Sequence, residues 1–188
     1  MSMTDLPSSD DENVGLTTRQ IDEMSNSSAF EKMIETAFLR DLLEQMWFGR
    51  SEIVDVMHSS LDAFGFDLVL ETTSVLRHVQ LKARRRGGRS ARLNINTKLS
   101  ERASGCVIWM EWAKAADRNS LEIDYRWFGG QPGQPLPPLG DRVAKHAKAN
   151  AQGVKNERSG IRVLPLGELE RVSGIEELAD RLFGTTGG

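Results

Sequence analysis

Four residues have types and spacings that could do chemistry together: Glu35, Asp67, Gln80 and Lys82. Glu35 belongs to a stretch with helical periodicity. On a wheel of about 100° per residue with Glu35 at zero, Leu39, Leu42, Met46 and Phe38 fall at about 40°, 340°, 20° and 300°. A carboxylate on such an apolar stripe must be paired, protonated or metal-bound, because an isolated buried charge is very costly. Asp67 and Gln80 stand at comparable distances from a turn at Thr72–Ser74. In an antiparallel hairpin they therefore lie roughly opposite one another. Gln80 and Lys82 are two apart and share a strand face. A carboxylate and neighbouring oxygens can hold Mg²⁺. An adjacent ammonium can stabilise charge on a phosphate or orient a water molecule.

The elements that would position them follow from the pattern. The capping box Ser28-Ala-Phe-Glu31 opens a helix from Ala29 to Trp47, ended by Gly49. Strands are expected at Glu52–Met57, Phe66–Glu71, Val75–Ala83 and Ala91–Asn96. A short helical piece fits Thr97–Ala103. Gly105–Trp112 is apolar on both faces and reads as a central strand, while Leu121–Phe128 alternates and belongs nearer an edge. Gly129–Gly140 is a proline-rich connector. A helix over Asp141–Ala151, a short strand over Ile161–Leu164 and a final helix Ile175–Phe183, capped by Ser173-Gly-Ile-Glu176, complete the chain. This order predicts an α+β fold with a mixed central sheet flanked by helices.

The phrase Asp62-Ala-Phe-Gly-Phe-Asp67-Leu-Val-Leu-Glu71, followed by His78-Val-Gln80-Leu-Lys82-Ala83, resembles the core of the PD-(D/E)XK nuclease superfamily. The resemblance covers about residues 28–112. It implies a restriction endonuclease-like core and Mg²⁺- or Mn²⁺-dependent hydrolysis of DNA phosphodiester bonds. By its motif, Asp67 matches the metal-binding aspartate, Gln80 the second acidic ligand, Lys82 the catalytic lysine and Glu35 the first-helix glutamate, with the Leu81 backbone carbonyl as a further ligand. Gln80 departs from the usual acidic residue, and Phe66 stands where a proline is common. The departure at Gln80 gives a second reading: a catalytically inactive protein of the same fold that binds nucleic acid or serves as an assembly subunit.

Charge along the chain points to the same partner. The total is −3 in 188 residues. Residues 1–35 hold eight acids against two bases, a net of −6, and residues 72–105 hold nine bases against one acid, a net of +8. The run Arg84, Arg85, Arg86, Arg89 and Arg92 reads as a basic loop that grips phosphates. Residues 1–15 read as a disordered acidic tail suited to a protein partner, and residues 16–188 as one domain with a core at 28–128 and an extension at 129–188. A short helix near Thr18 precedes the core. The lone Cys106 excludes a disulfide scaffold and suits the reducing cytoplasm. No run is long and apolar enough for a membrane span. A homodimer is compatible with cleavage of both strands of a duplex. His58, His78 and His146 have no metal-ligand spacing.

Overall fold

A computed structural model describes residues 27–61, 64–146 and 155–185. The acidic tail, the helix near Thr18, Asp62 and residues 147–151 lie outside them. Helix α1 spans Ser27–Glu44 and continues into a π-helical turn at Gln45–Gly49. Strands follow at β1 Asp55–His58, β2 Leu68–Glu71, β3 Leu76–Arg85 and β4 Arg92–Asn96. Then come β5 Gly105–Lys114, β6 Leu121–Gly129, β7 Val143–Lys145, β8 Glu157–Pro165 and β9 Glu170–Val172. Helix α2 closes the described chain at Ile175–Phe183. The architecture is α+β, with a mixed central sheet and two helices among the described residues.

The six-stranded sheet has the order β1-β2-β3-β5-β6-β9. Strands β1, β2 and β3 form an antiparallel meander, and β5 pairs parallel to β3. The crossover between β3 and β5 carries β4 and a 3₁₀ turn at Thr97–Glu101, which the Asn96 side chain opens by accepting from the Lys98 amide at 3.0 Å. A second, three-stranded sheet has the order β4-β8-β7.

Strand β5 shows why two layers of core form. Its residues alternate, so Cys106, Ile108, Met110 and Trp112 pack towards α1 and α2, whereas Val107 and Trp109 pack towards the second sheet. The three tryptophans at 109, 112 and 127 are all buried in these cores. The helix side also receives Ile34, Phe38, Leu42 and Met46, a single line spaced four apart. That line passes beside Glu35 rather than through it. Leu39, which drew the wheel's centre towards Glu35, is only half-buried.

Four expectations change. The helix over Asp141–Ala151 is not present at its start: Val143–Lys145 forms β7, held by antiparallel pairing to β8. Arg84 and Arg85 are not in a loop but end β3, where they pair with Glu111 and Trp112 of β5. The expected helical piece at Thr97–Ala103 is the shorter 3₁₀ turn. At α2 the cap shifts by one residue: Glu177, not Glu176, accepts from the Ser173 amide and hydroxyl, each at 2.8 Å. Among the described residues, no helix is long and apolar enough to cross a membrane.

Candidate active site

The β2–β3 hairpin sets the site. Thr72 closes its turn by accepting at its hydroxyl from the Val75 amide at 3.2 Å, and its own amide donates to the Val75 carbonyl at 2.8 Å. The last register pair is Leu68 with Val79, so Asp67 lies one step beyond it, across from Gln80. Gly65 makes the approach. Its φ of +77° is in the left-handed region, and a Cβ there would meet the Asn96 Cβ at 2.7 Å.

Beyond Val79, no strand among the described residues pairs with β3 on the β2 side, although β5 continues to pair with it on the other. Asp67 covers the start of this open edge. The Leu81 amide donates to Asp67 Oδ2 at 2.7 Å. In a strand, the N–H and C=O of one residue point the same way. The Leu81 carbonyl therefore also faces the open edge, beside the Asp67 carboxylate.

A cleft of about 430 Å³ occupies this edge, and Lys32, Glu35, Asp67, Leu81 and Lys82 all line it. Alternation sets how they arrive. Val79 and Leu81 face the helix-side core, so Gln80 and Lys82 face the opposite way. Glu35 comes from α1 on the helix side. Glu35 and Lys82 thus reach one cleft from the two faces of the sheet, around its free edge. Gln80 does not line the cleft. It is 4% exposed, between the two sheets, and its Oε1 is buried without a hydrogen-bond partner among the described residues.

Glu35 is tied by two groups that the sequence did not single out for the site. Lys32 Nζ lies 2.5 Å from Glu35 Oε1, and His58 Nε2 lies 2.8 Å from the same oxygen. Lys32 Nζ and His58 Nε2 are 3.0 Å apart. Lys32 is three residues before Glu35, one helical turn away, so its spacing is a readable signal. His58 is 23 residues downstream on β1, and only the sheet brings it there. Burial pushes the Glu35 carboxyl up, but the hydrogen bonds and charges of Lys32 and His58 together outweigh it and hold the group below its ordinary value.

The arginine run divides. Arg84 pairs with Glu111 and stacks over Trp109 at 5.2 Å. Glu111 is pushed up by burial but held low overall, chiefly by Arg84. Arg85 lies over Trp112 at 5.7 Å. Arg86 pairs with Asp124 at 2.7 Å and Glu122 at 3.2 Å. Arg89 and Arg92 are exposed and pair with no carboxylate among the described residues.

Beside the two lysines, the Glu35 and Asp67 carboxylates and the Leu81 carbonyl offer oxygens, the donors that hard cations such as Mg²⁺ and Mn²⁺ prefer. Among the described residues no three His, Cys, Asp or Glu groups cluster to hold a metal by themselves. A metal held here would need a further oxygen, and the Leu81 carbonyl is the one beside Asp67. Comparison with protein-family models, with curated proteins and with solved structures finds no match.

Proposed function

We propose that this protein is a Mg²⁺- or Mn²⁺-dependent endonuclease that hydrolyses DNA phosphodiester bonds, built on a restriction endonuclease-like core. The observation that carries the reading is the open edge of β3: the Asp67 carboxylate, the Leu81 carbonyl, Glu35 and Lys82 line one cleft there. The element order supports it, since a helix with a glutamate precedes an antiparallel meander and a crossover returns to a parallel strand. The crossover bears β4 and a 3₁₀ turn in place of a helix. The buried thiol of Cys106 suits a cytoplasmic setting.

Asp67, the Leu81 carbonyl and Glu35 would hold the metal, with Gln80 behind them in the position of the second acidic ligand. When bound, the metal supplies Lewis acidity and a more acidic water. Lys82 presents its ammonium to a phosphate oxygen as negative charge develops there. The Leu81 amide fixes the orientation of Asp67 through their 2.7 Å hydrogen bond. Lys32 and His58 hold Glu35 against the cleft wall.

The second reading, an inactive binding or assembly subunit, is favoured by Gln80, which is neutral and outside the cleft. One experiment separates the two. Purified protein with Mg²⁺ or Mn²⁺ is expected to cut plasmid or branched DNA, and Lys82→Ala to abolish the cutting. If all DNA forms stay intact and Gln80→Glu restores cutting, the natural protein is a binding subunit.

A further inference from the structure

The basic run after Lys82 would be the natural place to hold phosphates, yet its first three arginines are engaged within the protein: Arg84 with Glu111, Arg85 over Trp112, Arg86 with Asp124 and Glu122. Uncommitted positive charge lies elsewhere. The second sheet and its flanks carry Arg92 on β4, Lys145 on β7 and Arg158 and Arg162 on β8, with Arg89, Arg142 and Lys155 beside the strands. Among the described residues none of these seven pairs with a carboxylate. All are exposed except the half-buried Arg162, whose Nη1 donates to the Ser159 carbonyl at 2.7 Å. The acids on the same described segments are Asp141 and Glu157, which leaves a net charge of +5.

We propose that the β4–β8–β7 sheet, rather than the Arg84–Arg86 run, is the surface that seats the backbone of a DNA duplex. The proposal rests on DNA being the substrate, as argued above. Register gives the track its length. Arg92 lies across from Pro165 at one end of β8, and Lys145 lies across from Glu157 at the other. At about 3.3 Å per residue this spans on the order of 25 Å. That distance covers about seven phosphates of one strand. The sheet packs on the same face of the central sheet as Lys82, with Trp109 in the shared core. A duplex lying along it is thus on the side from which Lys82 enters the cleft. Such contacts position DNA without reading its sequence.

The test is fluorescence anisotropy of a labelled duplex with the full-length protein and no divalent cation, so that binding is read apart from cleavage. Arg92→Ala/Lys145→Ala/Arg158→Ala changes exposed side chains and is expected to melt with the wild type. It is expected to weaken binding at least tenfold. The slope of log affinity against log salt should become shallower by about 0.9 for each phosphate that is no longer neutralised. Arg86→Ala is expected to change affinity less than twofold. Wild-type affinity and slope in the triple variant, with the wild type binding, overturn the surface alone. An equal drop in affinity from Arg86→Ala overturns it too. No duplex binding by the wild type overturns both the surface and the DNA reading. Capture of a labelled peptide of residues 1–26 that the triple variant abolishes, with duplex binding unchanged, assigns the sheet to the chain's own acidic segment and overturns the proposal.

Discussion

Lys32→Met should make the cleft bind a divalent cation more tightly. Lys32 Nζ sits 2.5 Å from the Glu35 oxygen that a metal ion would need, so the ammonium and the ion compete for it. The Lys32 side chain is 58% exposed and that of Glu35 18%, so water weakens the pair. Pairs of this kind contribute about 0.2–1 kcal/mol, so removing the competitor alone tightens metal binding up to about fivefold. A divalent ion also feels the remaining positive charge: at about 5 Å and the dielectric of water the repulsion is on the order of 1 kcal/mol. Together they predict a gain on the order of tenfold. Titration calorimetry with Mn²⁺, or Tb³⁺ luminescence, reads this directly. Lys32→Arg keeps the competing charge and should stay near the wild type, while Glu35→Gln should bind metal more weakly. If Lys32→Met binds no tighter than the wild type while Glu35→Gln does lose affinity, the competition argument is wrong. If Glu35→Gln binds as the wild type does, Glu35 is not a ligand.

Other expectations follow from the same geometry. Arg77 is fully buried, and its guanidinium donates to the carbonyls of Leu182 at 2.6 Å, Arg181 at 2.7 Å and Gly130 at 3.0 Å, closing the end of α2. Arg77→Met strands those carbonyls and should cost about 3 kcal/mol in urea denaturation; a change within error of zero would contradict the packing. Because Glu35 is held below its ordinary value of 4.5, its stabilisation is complete above that pH and is lost as pH falls through the folded value. The stability gap between wild type and Glu35→Gln should therefore narrow in acid, and a gap that widens would contradict the pairing. Burial pushes the Cys106 thiol up to about 12, with Arg77 pulling weakly the other way. Native protein should resist thiol reagents at about pH 8 and react once unfolded.

The parts that were legible in the sequence are those with local causes. The Thr72 turn and the alternation on each side of it were enough to set Asp67 opposite Gln80. The apolar faces of residues 105–112 were enough to place β5 in the middle of the sheet. What was not legible depends on pairing between distant segments. Residues 141–151 look helical in isolation, yet Val143–Lys145 is drawn into a strand by β8. Arg84 and Arg85 look like loop residues because of their charge, but parallel pairing with β5 extends β3 through them and supplies Glu111 and Trp112 as partners. His58 has no local signal at all. Only the meander carries it to Glu35. The side on which Gln80 faces follows from strand alternation, but the sequence does not reveal that β2 stops short and opens the edge of β3. That opening is why Lys82 reaches the cleft and Gln80 does not.

The most direct test of the central claim is a metal-binding titration, followed by DNA cleavage, with wild type, Asp67→Asn and Lys82→Ala. Wild type is expected to bind Mn²⁺ and cut DNA, Asp67→Asn to lose both, and Lys82→Ala to keep metal but lose cutting. Metal binding and cleavage that survive Asp67→Asn would contradict it.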